Sequence, residues 1–218
     1  MKSGFDKLAN TYALLERLSF GSSLQKTRER GLQAIDTNRP TRALLLGDGD
    51  GRFAAAALAR APRLIVESVD SSEVMLETAR SRIQKHAPRG VDRYIARNED
   101  ALSAHYSVDS YDLIVAQFFF DCFSSDSSNR LIRELQRALR VDGKFVYADF
   151  AIPRSQPWKS LSRCVVWSLY RFFRLATSLP ARRLPRIQWP DTLTLENRQS
   201  ALKGLLVSEI RINRPNRE

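Results

Sequence analysis

The sequence predicts an α/β fold: a doubly wound, mostly parallel Rossmann-like sheet with an antiparallel C-terminal edge and an added helical lid. Three observations carry that reading. Short apolar runs alternate with helix-type segments between residues 43 and 150, a glycine-rich loop follows the first run, and the last two runs are separated only by a polar loop.

Each element has its own signal. The stretch from Phe5 to Ile35 has helical spacing and suggests two short helices ahead of the main fold. Arg39-Pro40 closes it, because the residue before proline is pushed out of the helical region. Ala43–Leu46 is a run suited to a strand covered on both faces, and the alanine-rich Phe53–Ala61 is a helix. Leu64–Val69 is a strand, Glu73–Lys85 a helix, Tyr94–Ala96 a shorter strand and Tyr111–Ala116 another buried one. Asn129–Leu139 is a helix by the spacing of Leu131, Ile132, Leu135 and Leu139; Asp142-Gly143 is a turn, and Lys144–Phe150 a further strand. Leu193–Leu195 and Leu205–Ile212 then suit an antiparallel pair at the sheet edge.

A chain of 218 residues supports one domain with its own core and is short for two. No stretch reads as a secretory signal or as a spanning helix of about 18 charge-poor apolar residues. Cys122 and Cys164 have no metal-type spacing and read as reduced thiols, so a cytoplasmic protein without a metal is expected. The net charge of +11 is uneven: residues 151–218 hold 13 Lys and Arg against 4 Asp and Glu. Such asymmetry favours an anionic neighbour for the C-terminal third.

The strongest local signal is Gly47-Asp48-Gly49-Asp50-Gly51, between the first strand and its crossover helix. Glycine permits a left-handed backbone and a close approach to a ligand. A dinucleotide fingerprint needs a third glycine at the sixth position, where this chain has Arg52; G-x-G-x-G suits a ligand without a pyrophosphate. Asp70 closes the second strand, where a carboxylate can accept both hydroxyls of a ribose; it also suits a helix N-cap before Ser71, Ser72 and Glu73.

With these in place a family comes into view. Leu44–Phe53, Val69–Leu76, Asn98–Ala101, Tyr111–Val115 and Leu135–Val146 resemble, in order, the successive motifs of class I S-adenosylmethionine-dependent methyltransferases, nearest to the small-molecule branch with the quinone-biosynthesis C-methyltransferases. The resemblance covers roughly residues 5–150. It implies S-adenosyl-L-methionine as cofactor, with Gly47, Asp48, Gly49 and Gly51 beneath its methionine part and Asp70 and Ser71 at the ribose. Met75 would pack on the adenine, or else be core; Asp100 and Ala101 match the adenine-amino contact; Gln117 would line the methyl-donor pocket, and Tyr12 would close a cap over the cofactor. The family often has an acid two positions before the first loop glycine; here that residue is Leu45. One domain is expected, with a helical cap (1–38), a cofactor-binding core (39–150), a basic lid (151–190) and a strand pair and tail (191–218).

The expected reaction is in-line methyl transfer to O, C or N of a small lipophilic or aromatic acceptor. Alignment alone contributes roughly 7–11 kcal/mol, and a base is needed only where the acceptor must lose a proton. Asp121 is the first catalytic candidate and Tyr12 the second; a solvated loop carboxylate is the plainer reading of Asp121, and His86 and His105 read as surface residues. The alternative function is a non-catalytic protein of the same fold that binds RNA or an anionic membrane.

Trp158–Ala176 has one apolar stripe with Lys159, Arg163, Arg171 and Arg174 away from it, and Arg182, Arg183 and Arg186 follow. It reads as a lid helix, and 158–186 also as a peripheral contact with anionic lipid. Nucleic acid ranks below both, as no RNA-binding module accompanies it. The sequence does not indicate an oligomeric state.

Overall fold

The computed structural model describes residues 22–39, 41–153, 158 and 184–215. The start of the expected cap, with Tyr12, and the basic helix beyond Trp158 lie outside the described residues.

Among the described residues the order is α1 (Ser23–Arg30), β1 (Thr41–Leu46), α2 (Arg52–Arg60), β2 (Leu64–Asp70), α3 (Glu73–His86), β3 (Tyr94–Asn98), β4 (Tyr111–Gln117), α4 (Ser125–Ala138), β5 (Leu139–Phe150), β6 (Leu193–Ala201) and β7 (Leu206–Asn213). Seven strands form one sheet in the order β3-β2-β1-β4-β5-β7-β6. The first five pair in parallel, and β7 runs antiparallel between β5 and β6. This is the doubly wound sheet with an antiparallel edge that the alternation predicts.

Why the central strands read as unbroken apolar runs is plain from the packing. Leu45, Val66, Val115 and Val146 face Phe53, Leu58, Ala79 and Ile83 of α2 and α3. Leu44, Leu46, Ile114 and Phe145 face Leu131, Ile132 and Leu135 of α4 on the other side. Each such side chain, fully buried, contributes roughly 1.5–3 kcal/mol. Both faces are covered, so no polar alternation survives in β1.

Two boundaries differ from expectation. Helix α4 begins at Ser125 rather than at Asn129, because Ser124 Oγ accepts the Ser127 N–H at 3.2 Å and fixes the first turn. At its other end the helix stops one residue before Leu139, which already pairs with Tyr111. The Asp142-Gly143 turn is absorbed into β5: the pairing jumps from Tyr111↔Leu139 to Leu113↔Lys144, and Asp142 takes a φ of 61°. The residues between form an irregularity within the strand. Strand β6 is also longer than its apolar run Leu193–Leu195, since it is an edge strand with largely exposed side chains.

Candidate active site

The crossover connections change direction between β1 and β4, and the site residues gather at the C-terminal ends of the strands around that point. Ligands bind there in open α/β sheets. Strand register brings the ends level: Leu46 pairs with Val69 and Ala116, Asp70 with Asn98, and Gln117 with Ala148.

The three loop glycines have left-handed φ values of 59°, 61° and 75°, but they do different things. At Gly47 a Cβ would lie 2.6 Å from the Phe119 ring; at Gly51 it would lie 2.5 Å from Ala79, so that glycine lets α2 approach α3. At Gly49, by contrast, nothing among the described residues lies within 4 Å of a Cβ. Asp48 Oδ2 accepts the Ala54 N–H at 2.9 Å at the start of α2. Burial pushes its carboxyl up to about 7, against the pull of that N–H and of Arg28. Asp50 is held by Arg52 at 2.9 Å and Arg82 at 2.8 Å, and Arg82 Nε donates to the Asp50 carbonyl. The loop is thus fixed from α3.

Asp70 is not the N-cap of α3. Ser72 is: its Oγ accepts the Met75 N–H at 3.3 Å, and Asp70 Oδ1 accepts the Ser72 N–H at 2.9 Å. The carboxylate is thereby held at the strand end, where a ribose would lie. Ser71 is exposed and Met75 half-buried, while Leu76, Ala79 and Ile83 supply the helix's core face, so Met75 is not core. Asp100 Oδ1 accepts the Leu102 N–H at 2.9 Å, turning the chain so that Ala101 is buried beneath Tyr106, whose hydroxyl donates to the Ala101 carbonyl. Gln117 is 7% exposed; its Nε2 donates to the Arg28 carbonyl at 3.0 Å, and its Oε1 has no partner among the described residues. Leu45 is 1% exposed and belongs to the core. His86 and His105 are exposed, as expected.

Past β4 the chain is rich in aromatics. Phe118 has a φ of 54°, a conformation that costs roughly 1–2 kcal/mol in a non-glycine residue. Its N–H donates to the Ala148 carbonyl at 2.7 Å, which helps hold it. The Phe118 ring meets Phe150 edge-on at 5.5 Å and lies 5.0 Å below the Arg28 guanidinium; Phe119 stacks obliquely on Phe123 at 5.0 Å. Asp121 follows, half-buried in the turn Phe120–Cys122, with Oδ1 3.6 Å from the Cys122 sulfur. Burial pushes the Asp121 carboxyl up to about 6. Two neighbours escaped sequence reasoning. Arg28 of α1 bears electrostatically on both Asp48 and Asp121, and Asp149 at the end of β5 bears on Asp121. Asp149 had a visible signal, a carboxylate at the end of a buried strand; Arg28 had none.

A separate cavity of about 380 Å³ opens beside the start of α4, lined by Ser125, Asp126, Asn129, Leu184, Arg186 and Gln188. None of the strand-end residues lines it. Among the described residues no cluster suits a metal ion.

Residues 43–143 match a family described as a methyltransferase domain. The matched segment runs from β1 into β5 and contains the glycine loop, Asp70, Asp100, Gln117 and Asp121. Over that segment this chain is similar to a methyltransferase domain. The chain is 33% identical over 153 residues to a demethylmenaquinone methyltransferase of Thermotoga maritima, covering 70% of this chain and 62% of the relative. It is 32% identical over 151 residues to the demethylmenaquinone methyltransferase of Thermus thermophilus, covering 68% and 65%. The chain therefore spans less than two thirds of the length of these methyltransferase relatives. The YcgJ protein of Bacillus subtilis shares the fold, with a TM-score of 0.64 at 18% identity over 88% of this chain and all of that one.

Proposed function

We propose that this chain transfers a methyl group from S-adenosylmethionine to a small lipophilic aromatic acceptor, with a quinol ring as the first candidate. The observation that carries the reading is the continuity of two unlike surfaces: polar strand ends from Gly49 to Asp100, and the phenylalanine cluster beyond Gln117. The relatives' names support a quinol acceptor, at 33% and 32% identity.

The residues present fit the cofactor. Among the described residues Gly49 leaves open space where a ligand backbone can approach, Asp70 is oriented for ribose hydroxyls, and Gln117 Oε1 is an unpartnered buried acceptor. That last atom suits the methionine ammonium, which Leu45 cannot bind; β4 pairs with β1 so that Gln117 lies on the same face as Leu45, one pleat further toward the site. When bound, the cofactor supplies an electrophilic methyl on sulfonium. The chain's own part is to hold the acceptor between Phe118, Phe119 and Phe150, to keep water away with those rings, and to receive a proton at Asp121 where the acceptor carries one.

The decisive experiment is incubation of the protein with labelled S-adenosylmethionine and a short-chain demethylmenaquinol. Label in the quinol ring is expected. Binding of S-adenosylhomocysteine without turnover on any phenol or quinol would instead support a non-catalytic protein, the reading that Leu45 favours. A flat melting curve at millimolar S-adenosylhomocysteine would overturn cofactor binding itself, since a ligand at a hundredfold excess over its dissociation constant stabilises by roughly 2.7 kcal/mol.

A membrane surface is part of the same proposal. A lipophilic acceptor resides in lipid, and 158–186 brings Lys159, Arg163, Arg171, Arg174, Arg182, Arg183 and Arg186 without an acid among them. Among the described residues no helix is long and apolar enough to cross a membrane, so the contact proposed is peripheral.

A further inference from the structure

Two carboxyl groups from different strands meet at the acceptor end of the site. Asp121 stands in the turn after β4, and Asp149 is the penultimate residue of β5. Parallel pairing brings the strand ends together, with Gln117 opposite Ala148 and the Phe118 N–H on the Ala148 carbonyl, and the turn after Phe118 then returns the Asp121 N–H to the Asp149 carboxyl. Asp149 is 1% exposed; its Oδ1 accepts the Phe150 N–H at 2.8 Å, the Asp121 N–H and the Tyr147 hydroxyl bear on the same carboxyl, and among the described residues nothing bonds its Oδ2. An ionised oxygen left like this is costly, and a buried polar atom without a partner calls for an explanation. A bound proton supplies one, because the neutral acid has far less to lose from burial. The groups that face the pair are Arg28 of α1 toward Asp121, the Cys122 thiol beside it, and the Tyr147 hydroxyl of β5 toward Asp149; Asp70 of β2 acts on Cys122.

We propose that Asp121 and Asp149 act as one unit sharing a single proton, with Asp149 the carboxylic acid and Asp121 the carboxylate that takes the acceptor's proton during methyl transfer. The proposal rests on the methyltransferase reading. In the step, the acceptor's bond to hydrogen breaks and the proton passes to an Asp121 oxygen. The electron pair left behind forms the bond to the methyl carbon, and the pair of the old carbon–sulfur bond stays on sulfur. Asp149 is a positioning residue: two full negative charges side by side in so enclosed a place are strongly disfavoured, so its neutrality is what allows Asp121 to ionise. Burial raises both groups. Asp121 reaches about 6, basic enough to accept a proton yet ionised at neutral pH, and burial together with the Asp121 charge holds Asp149 well above the ordinary carboxylate range. The Asp121 backbone N–H and the Tyr147 hydroxyl favour the Asp149 anion but do not offset that.

Infrared titration of the carboxyl stretch on the protein alone tests the pair. It needs neither donor nor acceptor, so its failure is distinct from failure of the methyltransferase reading. The expected result is a neutral carboxyl band that persists above neutral pH, beside bands that grow as the pH falls through about 7 for Asp48 and about 6 for Asp121. Asp149→Asn should remove the persistent band, and Asp121→Asn should lower the pH at which Asp149 ionises by about one unit or more, as expected on loss of an adjacent like charge. With a working acceptor, Asp149→Ala should lower kcat about tenfold at unchanged KM, within the range typical of a misplaced base, and Asp149→Asn should restore it. Absence of any neutral carboxyl in the unaltered protein above the Asp48 value of about 7 would overturn the proposal whether or not the variants fold. So would an Asp149 titration indifferent to Asp121→Asn.

Discussion

At the scale of single residues, the division of labour between Asp70 and Ser72 makes the ribose assignment testable without confusing it with stability. Ser72 Oγ caps α3 and Asp70 does not. Asp70→Ala should therefore weaken S-adenosylhomocysteine roughly ten- to a hundredfold, the usual effect of deleting a charged hydrogen-bond partner, with a small change in melting temperature. Ser72→Ala should do the reverse, lowering stability by about 1 kcal/mol and leaving affinity nearly intact. Titration calorimetry beside a melting curve reads both. The loop glycines separate in the same way. Gly51→Ala drives a methyl to 2.5 Å from the Ala79 backbone at a φ of 75°, so the variant should unfold well below the parent in urea. Gly49→Ala meets no atom of the described residues, and should show only the left-handed strain of roughly 1–2 kcal/mol, together with any loss of cofactor affinity that the open space serves.

Among elements, the parallel strands are tied across the sheet by a buried charge. Glu67 of β2 is 4% exposed and bonds Arg42 of β1 at 2.7 Å, Arg97 of β3 at 2.6 Å and the Tyr111 hydroxyl of β4 at 2.8 Å. Burial opposes its charge, but these three donors together hold its carboxyl below the usual glutamate range. The contribution to stability is then fully present above the unfolded glutamate pKa of about 4.3 and is lost as the pH falls through the lower folded value. Urea unfolding from pH 7 to pH 3 should show the parent losing this increment on the acid side while Glu67→Gln stays flatter. Glu67→Ala should cost about 1–3 kcal/mol at pH 7, the range for stranded buried partners. None of this could be read from the chain. The apolar runs announced β1, β2, β4 and β5 because strands covered on both faces have no polar positions to confuse the pattern. A glutamate inside Leu64–Val69 gives no hint of three partners 25, 30 and 44 residues away. Strand β6 was legible only in part, since an edge strand with exposed side chains lacks an apolar signature. The same distinction holds in the site. Gly47, Gly49, Gly51 and Asp70 stand in short motifs and were found, whereas Arg28 acts from a helix whose sequence has no such motif and Asp149 matters through a neighbour across the sheet.

For the whole molecule, charge and topology make separate statements. If residues 158–186 rest on anionic lipid, the protein should sediment with anionic liposomes and much less with neutral ones. Reversing Arg163, Arg171 and Arg174 to Glu should abolish sedimentation, because each basic residue near such a surface contributes about 1 kcal/mol. Salt should weaken binding as the electrostatic reach shrinks to about 8 Å. Equal indifference to both liposomes at low salt would leave the segment as a solvated lid.

Topology also has a bearing on how the chain assembles. The sheet consists of two halves, β1-β2-β3 and β4-β5-β7-β6, and β1 against β4 is the strand pairing that joins them. Ala43 finds Leu113 across 70 positions, a closure that brings little reward until both halves exist. The seam is thus a slow closure, as is β5 against β7, where Lys144 finds Ile212 across 68 positions, and the Gly47–Gly51 loop and Gln117 flank the seam. In pulse-labelled hydrogen exchange during refolding, the amides that pair β2 with β3 and β6 with β7 should be protected before those that bridge β1 and β4. A ligand bound across the strand ends touches both halves and acts as a clasp: added S-adenosylhomocysteine should slow native-state exchange along the β1–β4 seam more than in the outer strands. A long-range closure of the chain is then the place that a ligand at the strand ends would hold shut.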